Sequence, residues 1–91
     1  MEKRMHAYVS GIVQGVFFRS FVQEIAIELG IKGFVRNLRD GRVEVVAEGP
    51  AEKLEALEKE LWKGPPLAVV DNVEVSYHPP TGEFKGFVIR R

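Results

Sequence analysis

Between Gly11 and Arg19 the hydrophobic period of the chain changes from two residues to the helical period of about 3.6. Before this run, Met5, Ala7 and Val9 alternate with His6, Tyr8 and Ser10, the pattern of a half-buried strand. After it, Phe18, Phe21, Val22, Ile25, Ala26 and Leu29 fall on one broad apolar stripe, and Gly30 stands where a helix-ending glycine is expected. A strand that runs through a short glycine-bracketed loop into an amphipathic helix must bury both apolar faces in one interface, which points to a sheet covered by helices.

The remaining segments alternate in the same way. Ile31 to Leu38 reads as a strand, supported by Phe34 and the β-branched Ile31 and Val35. Asp40-Gly41 is a hairpin signal, and Val43, Val45 and Ala47 then alternate with Glu44, Val46 and Glu48 in a third strand. Pro50 is placed at the first helical position of a second helix, about residues 51–63, with Leu54, Leu57 and Leu61 on its buried stripe. Trp62 lies beside that stripe and is expected to cap one end of the core. Val69 to Tyr77 contains a fourth strand, and Phe84 to Ile89 a short last one with Phe87 and Ile89 inward. Glu44, Glu48 and Glu74 are expected to face water. The order is β-α-β-β-α-β with a short extra C-terminal strand. This is the α+β, ferredoxin-like, two-layer plan with a mainly antiparallel sheet. The 91 residues suffice for one domain, 1–91.

Composition narrows the function. The 13 basic and 13 acidic side chains cancel, so the broad positive surface of a general nucleic-acid binder is not expected. Cysteine is absent, and His6 and His78 are too few for a multi-histidine centre, so no metal or cofactor is implied. No signal peptide or membrane-length apolar run is visible, which makes a cytoplasmic protein without a membrane partner the expectation.

The Gly11–Arg19 loop can carry chemistry. Backbone N–H groups in such a loop can converge on one point, and the helix N-terminus adds partial positive charge there. Gly15 can take a positive φ and admit a ligand close to the backbone, and Arg19 offers a planar fork for two phosphate oxygens. The side chains of Val16, Phe17 and Phe18 cannot donate, so anion contacts there must come from the main chain. The loop has neither the Walker pattern nor the Gly-x-Gly-x-x-Gly of a dinucleotide site, and it suits a single phosphoryl group. The loop alone is equally compatible with a tight strand-to-helix turn followed by a surface arginine. Asn37 interrupts the second strand just before the hairpin. It can initiate the turn, or donate and accept at once as the positioning of a water requires. In this plan the third strand lies between the first and second, so Asn37 meets Arg19 only if the first loop arches across the sheet end.

Two runs bear on these alternatives together. Gly11-Ile12-Val13-Gln14-Gly15-Val16-Phe17-Phe18-Arg19 resembles the first signature of the acylphosphatases. Gly33-Phe34-Val35-Arg36-Asn37-Leu38-Arg39-Asp40-Gly41-Arg42-Val43-Glu44-Val45-Val46-Ala47-Glu48-Gly49 resembles the second. The likeness extends over essentially the whole chain. It implies hydrolysis of acyl phosphates to a carboxylate and inorganic phosphate. Arg19 and the backbone amides of Gln14, Gly15, Val16, Phe17 and Phe18 would bind the phosphoryl group, and Asn37 would orient the attacking water. The implied partner is a small-molecule acyl phosphate. A monomer is expected, with an edge-strand dimer as the alternative. Two other classes compete with this reading. One is an RNA-binding module of the same fold using Tyr8 and Phe34 as stacking aromatics. The other is a phosphate-binding domain without catalysis.

Overall fold

In the computed structural model, which describes all of residues 1–91, β1 (Glu2–Ile12) is hydrogen-bonded along both edges. It is followed by α1 (Phe18–Glu28), β2 (Lys32–Asn37), β3 (Val43–Pro50), α2 (Ala51–Lys63), β4 (Val69–His78) and β5 (Phe87–Arg90). The strands form one five-stranded sheet in the order β4-β1-β3-β2-β5, antiparallel throughout except for the parallel β2–β5 pair. The ferredoxin-like reading therefore holds, with β3 between β1 and β2 as the plan requires.

Alternation decides which face is covered. Met5, Ala7 and Val9 of β1, Val35 of β2, Val43, Val45 and Ala47 of β3 and Val73 of β4 share one core with Phe18, Val22 and Ala26 of α1 and Leu54, Leu57 and Leu61 of α2. Each fully buried leucine of α2 contributes about 1.5–3 kcal/mol of transfer free energy. Helix α1 closes through Gly30 N–H to Ile27 O (3.1 Å) and Ile31 N–H to Ala26 O (2.9 Å), the paired bonds that satisfy the last carbonyls of a helix. Gln23 Nε2 donates to Phe87 O (3.1 Å), tying α1 to β5.

The register breaks between Ser10 and Gly11. Gly11 has φ +128°, and a Cβ there would lie 2.1 Å from Val69 O. Only glycine allows this bulge, which bends the end of β1 toward the loop that follows.

Three sequence expectations need correction. Glu44 and Glu48 lie on the helix-free face, as alternation requires, yet they are only 5% and 7% exposed; Glu74 does face water. The segment after β4 folds back over that face. Thr81 N–H (2.8 Å) and Gly82 N–H (2.9 Å) donate to the Glu48 carboxylate, and Arg4 pairs with it at 3.2 Å. Arg36 pairs with Glu44, and His6 Nε2 lies 2.6 Å from its other oxygen. Trp62 does not cap the core. It is 46% exposed and borders a surface groove with Lys3 and Tyr77. The last strand begins at Phe87, because Phe84 instead packs edge-on against Phe34 across the helix-free face, with ring centroids 6.0 Å apart. Phe87 is inward, whereas Ile89 is 38% exposed.

Burial pushes the Glu44 and Glu48 carboxyls up, but their hydrogen bonds outweigh it and hold both below the usual carboxylate range. The unfolded chain therefore binds protons first. The stability these two groups supply is complete above about pH 4.3, the ordinary glutamate value, and is lost as pH falls through the lowered folded values. Melting temperature should hold from pH 7 to 5 and fall steeply below about pH 4. Glu48→Gln should cost about 1–3 kcal/mol at pH 7, since an amide cannot accept all of these donors, and should flatten the acid limb of the melting profile.

Candidate functional site

At the end of the sheet where β1 and β2 finish and β3 begins, the loop 13–17 leaves regular structure. Gln14, Gly15, Val16 and Phe17 lie in neither a strand nor a helix, and none of their N–H groups donates to an acceptor within the protein. Phe18 opens α1 and so has no intrahelical acceptor for its own N–H. A run of free donors thus leads into a helix N-terminus.

The helix start is built to receive negative charge and holds none of its own. Helix α1 has no acidic residue in its first turn and no side-chain cap, whereas α2 places Glu52 in its first turn. Two residues give the loop its curl. Gly15 has φ +74° with open space where a Cβ would be. Phe17 is left-handed at φ 67° and ψ 24°, and it is the only non-glycine residue with positive φ. That conformation costs a phenylalanine about 1–3 kcal/mol and persists only where its surroundings impose it. The ring itself is 75% exposed, so side-chain burial does not explain the strain.

A hollow lies against this loop. Val13, Gly15, Phe17, Phe18, Arg19, Ser20, Asn37 and Ile89 line it. Arg19 and Asn37, contributed by α1 and β2, therefore share one concavity even though β3 separates β1 from β2. The Arg19 guanidinium enters none of the ion pairs of the molecule. Asn37 Oδ1 is buried and has no hydrogen-bond partner, the only side-chain atom of the protein in that condition. A buried amide oxygen without a donor costs about 1–3 kcal/mol, which a bound donor such as a water would recover. Asp, Glu, His, Lys and Tyr are absent from the lining, so Arg19 is its one ionisable side chain.

Of the loop residues singled out from sequence, Gly15, Phe17 and Phe18 line the hollow. Gln14 and Val16 do not. Val16 packs half-buried against the core, and the Gln14 side chain reaches the β2–β3 hairpin. Sequence reasoning missed Val13, Ser20 and Ile89. Ser20 follows Arg19 on the exposed side of the apolar stripe, a position that reads as ordinary surface. Ile89 arrives only because β5 pairs in parallel with β2.

Tyr8 and Phe34, the two aromatics of the competing RNA reading, each carry a guanidinium close to the ring. The Arg42 guanidinium lies 4.5 Å from the Tyr8 ring centroid and that of Arg90 4.0 Å from the Phe34 centroid. No helix is long and apolar enough to cross a membrane.

The comparisons with known proteins agree with one another. The acylphosphatase family profile matches residues 5–89. An acylphosphatase of Pelotomaculum thermopropionicum is 51% identical over 86 residues, covering 94% of this chain and 94% of that protein. One from Thermus thermophilus is 54% identical over 84 residues, covering 92% and 94%. The crystal structure of acylphosphatase from Bacillus subtilis superposes with a TM-score of 0.95 at 35% identity, covering 98% of this chain and 99% of that one. Matched over nearly its whole length by profile, sequence and fold, the chain belongs to the acylphosphatase family.

Proposed function

We propose that Arg19 and the amides of Gln14 to Phe18 hold the phosphoryl group of an acyl phosphate while Asn37 orients the water that attacks it. The reaction, hydrolysis of a carboxyl–phosphate anhydride, follows from family membership. The observation that carries the assignment of roles is the meeting, in one hollow, of an arginine free of ion pairs with a buried amide oxygen free of donors.

The chemistry asks little of the protein. The leaving group is a carboxylate, which departs without a strong acid to protonate it. What remains is to fix the phosphoryl group and to stabilise charge on its equatorial oxygens in an in-line displacement. The guanidinium fork supplies two directed, charge-assisted hydrogen bonds, and the loop amides supply others without a change of protonation. Asn37 Oδ1 accepts a hydrogen bond from the water and aims its lone pair at phosphorus. An amide is not a base at neutral pH, and the hollow offers no carboxylate or imidazole. The water's proton therefore passes to an oxygen of the substrate's own phosphoryl group as the new P–O bond forms and the acyl C–O–P bridge breaks at phosphorus. The exposed Phe17 ring and Ile89 stand at the rim, where the acyl portion would lie.

Arg19→Ala should lower kcat by at least about 10²–10³, the usual cost of one preorganised donor, in a steady-state assay with acetyl phosphate. Arg19→Lys should recover only part of it, since a point charge cannot form the fork. Asn37→Ala should lower kcat strongly while competitive inhibition by inorganic phosphate is retained; equal loss of both would remove the water-orienting role. The pH–rate profile should follow ionisation of the substrate. A limb that persists when the substrate is exchanged for one of different phosphoryl pKa would instead reveal an enzyme acid or base.

A further inference from the structure

The two halves of the site come from segments that are not neighbours in the sheet. Free amides and Arg19 follow β1, Asn37 ends β2, and β3 lies between these strands. Their relative position thus depends on whatever ties the β1–α1 loop to the β2–β3 hairpin. One side chain does this. Gln14 Nε2 donates to Leu38 O at 2.7 Å and to Arg42 O at 3.0 Å, so both of its N–H groups are spent on the two ends of the hairpin turn.

Those two carbonyls also hold the turn itself. Arg42 O accepts from Leu38 N at 2.8 Å, and Leu38 O accepts from Gly41 N at 3.2 Å. Each has a second lone pair, and the Gln14 amide takes it. Leu38 is the residue next to Asn37, so a shift of the hairpin relative to the loop carries the Asn37 carboxamide with it. No other side-chain hydrogen bond joins the loop to the hairpin. The Gln14 side chain does not line the hollow, and its amide N–H groups are taken up by the hairpin.

We infer that the side chain of Gln14 is a positioning residue for the reaction: it sets the distance between the phosphoryl cradle and the water held by Asn37. This rests on the water-orienting role of Asn37 given above. It assigns to Gln14 a function distinct from the one proposed above for its backbone amide. The chemical requirement is a neutral double donor. Glutamate has the same length but, as a carboxylate, only accepts, and it would face two carbonyl oxygens. Alanine removes the tie and leaves the backbone amide in place.

The test is a double-mutant cycle of Gln14→Ala with Asn37→Ala, supported by Gln14→Glu. It reads kcat with acetyl phosphate, the inhibition constant of inorganic phosphate, and the melting temperature, with kinetics measured well below the transition. Misplacement of a reacting group by about 1 Å costs on the order of 10²-fold, so Gln14→Ala should lower kcat about 10- to 100-fold. Phosphate inhibition should stay within about threefold, because the cradle is intact. Gln14→Glu should lose at least as much turnover as alanine. In the Asn37→Ala background, Gln14→Ala should have little further effect on kcat. A purely structural role would lower phosphate affinity along with kcat, or would act independently of Asn37 and add in the double mutant. Either result overturns the inference while leaving the Asn37 assignment standing, and so does full activity in Gln14→Ala. Unchanged turnover in Asn37→Ala alone would overturn the Asn37 assignment and this inference with it.

Discussion

A run of backbone N–H groups without acceptors is the constraint to which the rest of this molecule answers. Peptide groups in a folded chain are nearly always paired, and an unpaired donor away from water is expensive. Here the loop 13–17 leaves four such groups at the mouth of a helix whose own first N–H groups are also unpaired. The left-handed Phe17 adds strain to that arrangement. The sheet and helices around the loop are well satisfied. β1 is bonded along both edges, and α2 buries three leucines completely.

The same topology that stabilises the sheet makes the site non-local. Pairing β3 with both β1 and β2 gives a central strand with long registers on either side, against Glu2–Val9 of β1 and Lys32–Asn37 of β2. It also keeps the loop after β1 two strand spacings from the end of β2, with β3 between them. The molecule meets this with a loop that arches over the start of β3 and with the Gln14 amide that fastens it. Fold and site therefore share a cause, since the crossing required by the strand order places Arg19 and Asn37 around one hollow.

Much of this was legible in the amino-acid order. Period two before Gly11, the helical period after Phe18, the Asp40-Gly41 hairpin and Pro50 located the elements, because those signals depend only on which face each residue buries. The α2 boundaries were readable to the residue, since Pro50 and Gly64 punctuate both ends. Arg19 and Asn37 stood out through residue type and through two signature runs. What escaped depended on contacts across the sheet. Glu44 and Glu48 read as solvent-facing because alternation cannot tell that Arg36 and His6 close over Glu44, or that a later segment, with Thr81 and Gly82, folds over Glu48. Trp62 read as a core cap because a position beside an apolar stripe does not say how far the sheet extends beneath it. Gln14 read as a backbone donor alone, since nothing near it in the chain announces the carbonyls of Leu38 and Arg42.

The lining of the hollow has a consequence for turnover in a cell. A concavity whose lining has one guanidinium and no carboxylate or imidazole distinguishes ligands by shape and charge. The anhydride entering and the orthophosphate leaving present it with much the same tetrahedron. With the phosphoryl group held as proposed, the product would compete with the substrate for the same hollow, and turnover would slow wherever inorganic phosphate accumulates.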